Sequence, residues 1–198
     1  MLLYDNALSG NCYKVRLLFA QLGIGYEREE VDVFDRSGRQ ELLGEVNPGL
    51  RVPTVVLDDG RSLAESNAIL YYFAHGTAYL PDDPFQRAKV LQWQFFEQYS
   101  HEPYIAVARF WSHAAISPSP EVLEEKLRGG NAALGALDRH LSGREFIVGE
   151  RYSVADISLY AYTHVAPEGG FDLDPYPAVR AWLDRVAAQP GHVPIRSG

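Results

Sequence analysis

Short apolar runs and helix-spaced apolar residues take turns along the first part of the chain. Leu2 to Tyr4 is an apolar run that reads as a strand. After the turn-like stretch Asp5 to Asn11, residues Val15, Leu18, Phe19 and Leu22 recur at helical spacing up to Gly23. Glu27 to Val33 alternates loosely and ends in Val31 and Val33, which suits a second strand, and the polar stretch Ser37 to Glu45 is weakly helical. Asn47-Pro48-Gly49 marks a turn before the β-branched run Thr54 to Leu57, which Asp58-Asp59-Gly60 joins to Arg61 to Ala64 as a hairpin. Ser66 opens a helix whose predicted buried face is Ile69, Tyr72 and Phe73. The predicted order is β-α-β-α-β-β-α, a parallel first half meeting an antiparallel hairpin in one sheet with helices packed on it.

From Gly76 strand signals nearly vanish. Gly76 to Pro84 has the composition of a loop, and the pattern divides the chain into an α/β domain over 1–76, a linker over 77–84 and an all-helical domain over 85–198. Phe85 to Ser112 is helical in pattern, with Pro103 expected to kink or break it. Leu123, Leu127, Leu134, Leu137 and Leu141 predict a second long helix, which Gly129, Gly130 and Gly135 weaken by about 1 kcal/mol each relative to Ala, so packing must offset them. Further helices start at Ser153 and at Pro177, the last with Val179, Trp182, Leu183 and Val186 facing inward.

Composition narrows the function. The 198 residues are 46% hydrophobic and 12% aromatic, enough to bury one large core or two modest ones. A formal charge of −8 argues against nucleic acid and against anionic membranes, both of which call for a dense Lys/Arg surface. No apolar stretch approaches the roughly 18 residues of a membrane span. The start Met1 to Asp5 lacks the features of a secretory signal and Cys12 has no disulfide partner in the chain, so the expected compartment is reducing and cytoplasmic. The six histidines show no pair at helical metal spacing with a third ligand nearby, and no metal is expected.

Three places could carry chemistry. Ser9 lies between the first strand and first helix, where a hydroxyl and the helix N-terminus favour an anion such as a thiolate. A free thiol is only about 3% ionised at pH 7, and lowering its pKa by two units takes about 2.7 kcal/mol. The plain alternative is a helix cap. Val52-Pro53 stands before a strand, where a cis bond would turn the Val52 backbone toward a peptide ligand and a trans bond would be ordinary. Glu65-Ser66 stands at a helix N-terminus that can grip a carboxylate while Glu65 takes an ammonium, although a cap is again the plain alternative. Ser153 to Asp156 reads as a structural capping box, with Tyr152 and Ile157 as a hydrophobic staple. Cys12 is either a nucleophile beside a helix N-terminus or a small buried side chain.

Taken in order, Leu8-Ser9-Gly10-Asn11-Cys12-Tyr13-Lys14-Val15-Arg16-Leu17, then Asn47-Pro48 with Arg51-Val52-Pro53, then Leu63-Ala64-Glu65-Ser66-Asn67-Ala68-Ile69, and finally the Ser153 to Asp156 box, resemble the cytosolic glutathione S-transferases along the whole chain. The resemblance is to the bacterial, serine-type members of the theta-like or related classes. It implies a thioredoxin-like N-terminal domain, an all-helical C-terminal domain, a homodimer, and glutathione as co-substrate for a detoxifying transfer to a small apolar electrophile. It implies Ser9 as the group holding the thiolate, Val52 with Pro53 on the cysteinyl backbone, Glu65 and Ser66 on the γ-glutamyl group, and Arg39 and Arg51 on the glycyl carboxylate. Tyr4 lies near the tyrosine of other classes and Cys12 near the cysteine of beta-class enzymes, so both stand as alternatives. Tyr104, Ala108 and Trp111 share a helix face that could line a co-substrate pocket between the domains, or could be core. The loop Asn47-Pro48-Gly49-Leu50-Arg51 departs from many relatives, and the zeta-class isomerase signature is not matched at Ser9 to Arg16. A binding or regulatory protein without turnover, and thiol, disulfide or peroxidase chemistry through Cys12, are the rival functions.

Overall fold

A computed structural model describes residues 1–196; residues 197 and 198, the end of the expected helical domain, lie outside it. The chain forms two units, one of Met1–His75 together with the segment from Pro190, and one of Gly76–Gln189.

In the first unit, β1 (Leu2–Asp5), β2 (Glu27–Glu30), β3 (Thr54–Val56) and β4 (Ser62–Ala64) make one sheet in the order β2-β1-β3-β4. β1 runs parallel to β2, with Leu2 opposite Glu27, and antiparallel to β3, with Leu3 opposite Val55; β4 closes the predicted hairpin. Leu3 and Val55 are buried on one face against Val15 and Phe19 of α1 (Gly10–Leu22) and Ile69 of α3 (Ser66–Ala74). α2 (Arg39–Leu43) is short and buries only Leu43. β2 ends at Glu30 rather than Val33: its four residues, Glu-Arg-Glu-Glu, form a charged edge strand, and Val31 turns inward just past it. α3 buries Ser66, Ile69, Leu70 and Ala74, so Leu70 takes the place expected for Tyr72, which is 47% exposed. The segment from Pro190 lies against α1: Tyr13 Oη donates to Val193 O at 2.7 Å and Arg16 Nη2 to Ile195 O at 2.6 Å.

The second unit is helical. α4 (Pro84–Phe96) leads through a π-helical turn, Glu97–His101, into α5 (Glu102–His113). Pro103 sits in the first turn of α5, directly after the π turn. α6 (Pro120–Leu141) packs its glycines under aromatic rings. A Cβ on Gly130 would lie 2.2 Å from the Phe171 ring and one on Gly129 would lie 2.3 Å from Tyr104. α7 (Val154–Thr163) is buried on every side and starts with the predicted capping box, Tyr152 and Ile157 both buried. The 3-10 turn Ala166–Gly169 and α8 (Pro177–Ala187), buried through Val179, Trp182 and Val186, complete it. Among the described residues no helix is long and apolar enough to cross a membrane.

Candidate functional site

Ser9 is the N-cap of α1. Its backbone is extended, and its Oγ accepts from Cys12 N at 3.3 Å. Accepting through oxygen leaves the hydroxyl hydrogen to donate. The loop carrying Ser9 is held from beneath. Buried Asp5 pairs with Arg16 Nη1 at 2.5 Å and with Arg28 Nε at 2.6 Å, and Arg16 also donates to Asn6 O at 3.0 Å and Ala7 O at 3.2 Å. Asn6 Nδ2 donates to Val31 O and to Glu30 Oε1, both at 3.0 Å, while its Oδ1 accepts from Leu8 N.

Cys12 itself is fully buried. Burial pushes its thiol up, Asp5 adds to the rise, and Ser9 and Arg16 offset only part of it. That is the environment of an inert core thiol. Tyr4 lies half-buried within β1, opposite Glu29 and Thr54, rather than in the loop that carries Ser9.

The Val52–Pro53 bond is cis, with Pro53 buried at the foot of β3. Asn47 organises the approach to it: Nδ2 donates to Arg51 O and to Thr54 Oγ1, both at 2.9 Å, and Oδ1 accepts from Gly49 N at 2.9 Å. Pro48-Gly49 thus runs on a scaffold built by its neighbour's amide.

Glu65 precedes α3 with φ 66° and ψ 112°, a left-handed backbone that a residue with a Cβ adopts at a cost of about 1–3 kcal/mol. The outlier sets an exposed carboxylate beside Ser66, which is only 4% exposed. Ser66 Oγ donates to Asn11 Oδ1 at 3.1 Å. Asn11 is in the first turn of α1, so this bond ties the N-termini of α1 and α3 together and gathers Ser9, Glu65 and Ser66 around two positive helix ends.

Arg39 Nη1 donates to Leu50 O at 3.2 Å and Nη2 to Asp32 O at 2.9 Å, so much of its guanidinium braces the loops on either side. Burial holds its pKa below the ordinary value, and the charges of Arg36 and Arg51 lower it further against Asp32. Three guanidiniums therefore share this corner of an acidic protein. Arg36 was not foreseen, because a lone arginine in a polar stretch reads as solvated surface.

In the helical unit Ala108 is core, packed with Ile105, Leu134, Tyr162, Ala166 and Phe171. Tyr104 and Trp111 are half-buried, and the Tyr104 ring lies over Gly129 with Lys126 Nζ 5.3 Å from its centroid. Of the expected face, Ala108 thus belongs to the helix interior.

A sheet with one parallel and two antiparallel pairings, a cis-proline at the foot of β3 and a capped helix after β1 define a thioredoxin-like domain, here followed by a helical one. Family profiles agree: Glutathione S-transferase, N-terminal domain, matches residues 8–75, and Glutathione S-transferase, C-terminal domain, matches residues 90–190. The chain belongs to the glutathione S-transferase family. It is similar to a glutathione S-transferase of Pseudomonas fluorescens Pf-5, whose crystal structure superposes with a TM-score of 0.94 at 48% identity over 99% of this chain and 98% of that one. It is 30% identical to the disulfide-bond oxidoreductase YfcG of Escherichia coli K12, over 91% of this chain and 87% of the relative. It is 27% identical to maleylacetoacetate isomerase of Pseudomonas aeruginosa PAO1, over 96% and 92%.

Proposed function

We propose that the protein is a cytoplasmic, homodimeric glutathione transferase in which Ser9 stabilises the glutathione thiolate. The observation that carries this reading is Ser9 Oγ at the N-terminus of α1, its oxygen accepting from Cys12 N and its hydrogen left to donate. A thiolate there meets one hydroxyl donor and the positive end of a helix, which favour the ionised form. The cysteinyl backbone would pair with Val52 beside Pro53, the γ-glutamyl carboxylate with Ser66, its ammonium with Glu65, and the glycyl carboxylate with Arg51 backed by Arg39. The thiolate attacks an electrophilic carbon of an apolar co-substrate. A C–S bond forms, the bond to a leaving group such as chloride breaks, and the thiol proton passes to solvent. Phe85, Phe95 and Tyr99 leave exposed aromatics along α4 and the π turn, which supports self-association.

The test is conjugation of glutathione to a chloronitrobenzene by the wild type, Ser9→Ala, Tyr4→Phe and Cys12→Ala. Ser9→Ala is expected to lose about tenfold or more of kcat/KM at pH 6.5 and to recover toward high pH, where free glutathione ionises unaided. Full rate in Ser9→Ala at neutral pH overturns the assignment. Tyr4→Phe and Cys12→Ala are expected to stay within about threefold of wild type. Glutathione binding with no conjugation in the wild type would instead point to a binding protein, and Glu65→Ala that still binds glutathione at full strength would remove the γ-glutamyl role.

A further inference from the structure

Lys14 plays no part in the chemistry just described, yet it is among the most deeply buried charged side chains of the protein, at 0% exposure between Tyr13 and Val15. Lysines ordinarily extend their stems along the surface and keep the ammonium in water, and burial costs several kcal/mol unless hydrogen bonds offset it. Here the side chain leans back toward the start of α1, as helical side chains do, and Nζ donates to Asn11 Oδ1 at 2.8 Å and to Ser66 Oγ at 3.4 Å. The ammonium thus sits where the N-termini of α1 and α3 meet. Cations are disfavoured at helix N-termini, and this one faces two of them. Such a placement adds to the positive potential that an incoming anion meets there.

The hydrogen-bond directions add a second consequence. An ammonium only donates, so Asn11 must turn its carbonyl oxygen, and Ser66 a lone pair, toward Lys14. Ser66 gives its one hydrogen to Asn11 Oδ1 at 3.1 Å, an acceptor that Lys14 Nζ already fills at 2.8 Å, so this hydrogen can turn to an incoming carboxylate with Asn11 still paired. A hydroxyl with a hydrogen to give suits a carboxylate and not an ammonium.

We propose that Lys14 is the positioning residue that makes the Glu65–Ser66 clamp selective for the α-carboxylate of an amino-acid head group. It does so by filling Asn11 Oδ1, which frees the Ser66 hydrogen for the ligand, and by supplying the charge behind it. The proposal rests on the reading of this clamp as the γ-glutamyl site of glutathione.

The experiment is calorimetric binding of glutathione and of γ-aminobutyryl-cysteinylglycine, which lacks only the α-carboxylate, to the wild type, Lys14→Met, Lys14→Arg and Ser66→Ala. The wild type is expected to prefer glutathione by about 30-fold, the size of a charge-assisted hydrogen bond. Lys14→Met should cut that preference to about threefold while leaving affinity for the analogue within about twofold, Lys14→Arg should restore most of it, and Lys14→Met added to Ser66→Ala should change it no further. If Lys14→Met does not fold, Lys14→Gln, which keeps a donor and loses the charge, should still lower the preference, to about tenfold. An unchanged preference in the Lys14 variants, or equal weakening of both ligands, overturns the proposal while glutathione binding stands. A wild type that binds neither ligand overturns the glutathione reading along with it.

Discussion

At the scale of single residues, two of the serine caps, Ser153 and Ser9, do different work. Ser153 belongs to a dense buried knot: Asp156 Oδ1 accepts from Ile147 N and Trp182 Nε1, both at 2.9 Å, and Oδ2 accepts from Ser153 N at 2.9 Å and Ser153 Oγ at 3.1 Å. One carboxylate thus ties the loop before α7, α7 itself and α8. Ser9 makes one longer bond to its helix and keeps its hydrogen for another acceptor. Removing Asp156 leaves three buried N–H donors without their acceptor, so Asp156→Ala is expected to cost about 3–5 kcal/mol in urea unfolding. Ser9→Ala should cost about 1 kcal/mol, the loss of an ordinary cap, which leaves the variant folded for kinetic work. Equal losses for the two would show that Ser9 is structural in the way Asp156 is.

At the scale of elements, α6 carries glycines that its own helix propensity disfavours, and close approach explains two of them. Gly130 is buried, and a methyl there would drive into the Phe171 ring and meet Ile105 at 3.2 Å. Gly130→Ala is therefore expected to destabilise by about 1–2 kcal/mol, because overpacking outweighs the roughly 1 kcal/mol gained in helix propensity. Gly129 faces only the half-buried Tyr104 ring, which can swing aside, so Gly129→Ala should stay within about 1 kcal/mol of wild type. Thermal or urea unfolding of the pair separates the two cases.

At the scale of the whole molecule, the chain returns to the unit in which it began. The segment from Pro190 buries Ile195 and puts carbonyl groups on Tyr13 and Arg16, both on the helix that Ser9 caps. A chain ending at Gln189 should lose about 2–4 kcal/mol, from one buried apolar side chain and three hydrogen bonds less the regained chain entropy. The joint is also acid-sensitive. Tyr13 Oη gives its hydrogen to Val193 O, so His192 Nε2, 3.2 Å away, must be the donor to Tyr13, and burial lowers the imidazole pKa. Between that lowered value and the unfolded value near 6.5 the unfolded chain binds more protons, so this contribution is full above about pH 6.5 and is lost as pH falls below it. His192→Gln should flatten the fall in urea stability between about pH 7 and pH 5 relative to wild type. An identical fall in both proteins would rule out a role for His192.

Much of the architecture was legible in the chain. The change from short strands and helices to helices alone is a change in apolar period, and a period depends on residues a few positions apart. The capping box at Ser153 and the positions of Ser9, Pro53 and Ser66 at element ends were legible for the same reason. The apolar face of α3 was misjudged at Tyr72, and the end of β2 at Val33. The helical pattern of α1 rests on Val15, Leu18, Phe19 and Leu22 and assigns no place to Lys14 and Arg16, whereas the helix is buried on nearly every side of its first turns. Sequence alone thus determined the order of the main elements and the caps at Ser9 and Ser153, while the caps Asp83 of α4 and Ser119 of α6 came with the structure. Only the tertiary structure decided which charges are taken inside, because a buried ammonium or guanidinium is tolerable only beside partners such as Ser66, Asp5 and Ile195, which lie far away in the chain and arrive together only when it folds.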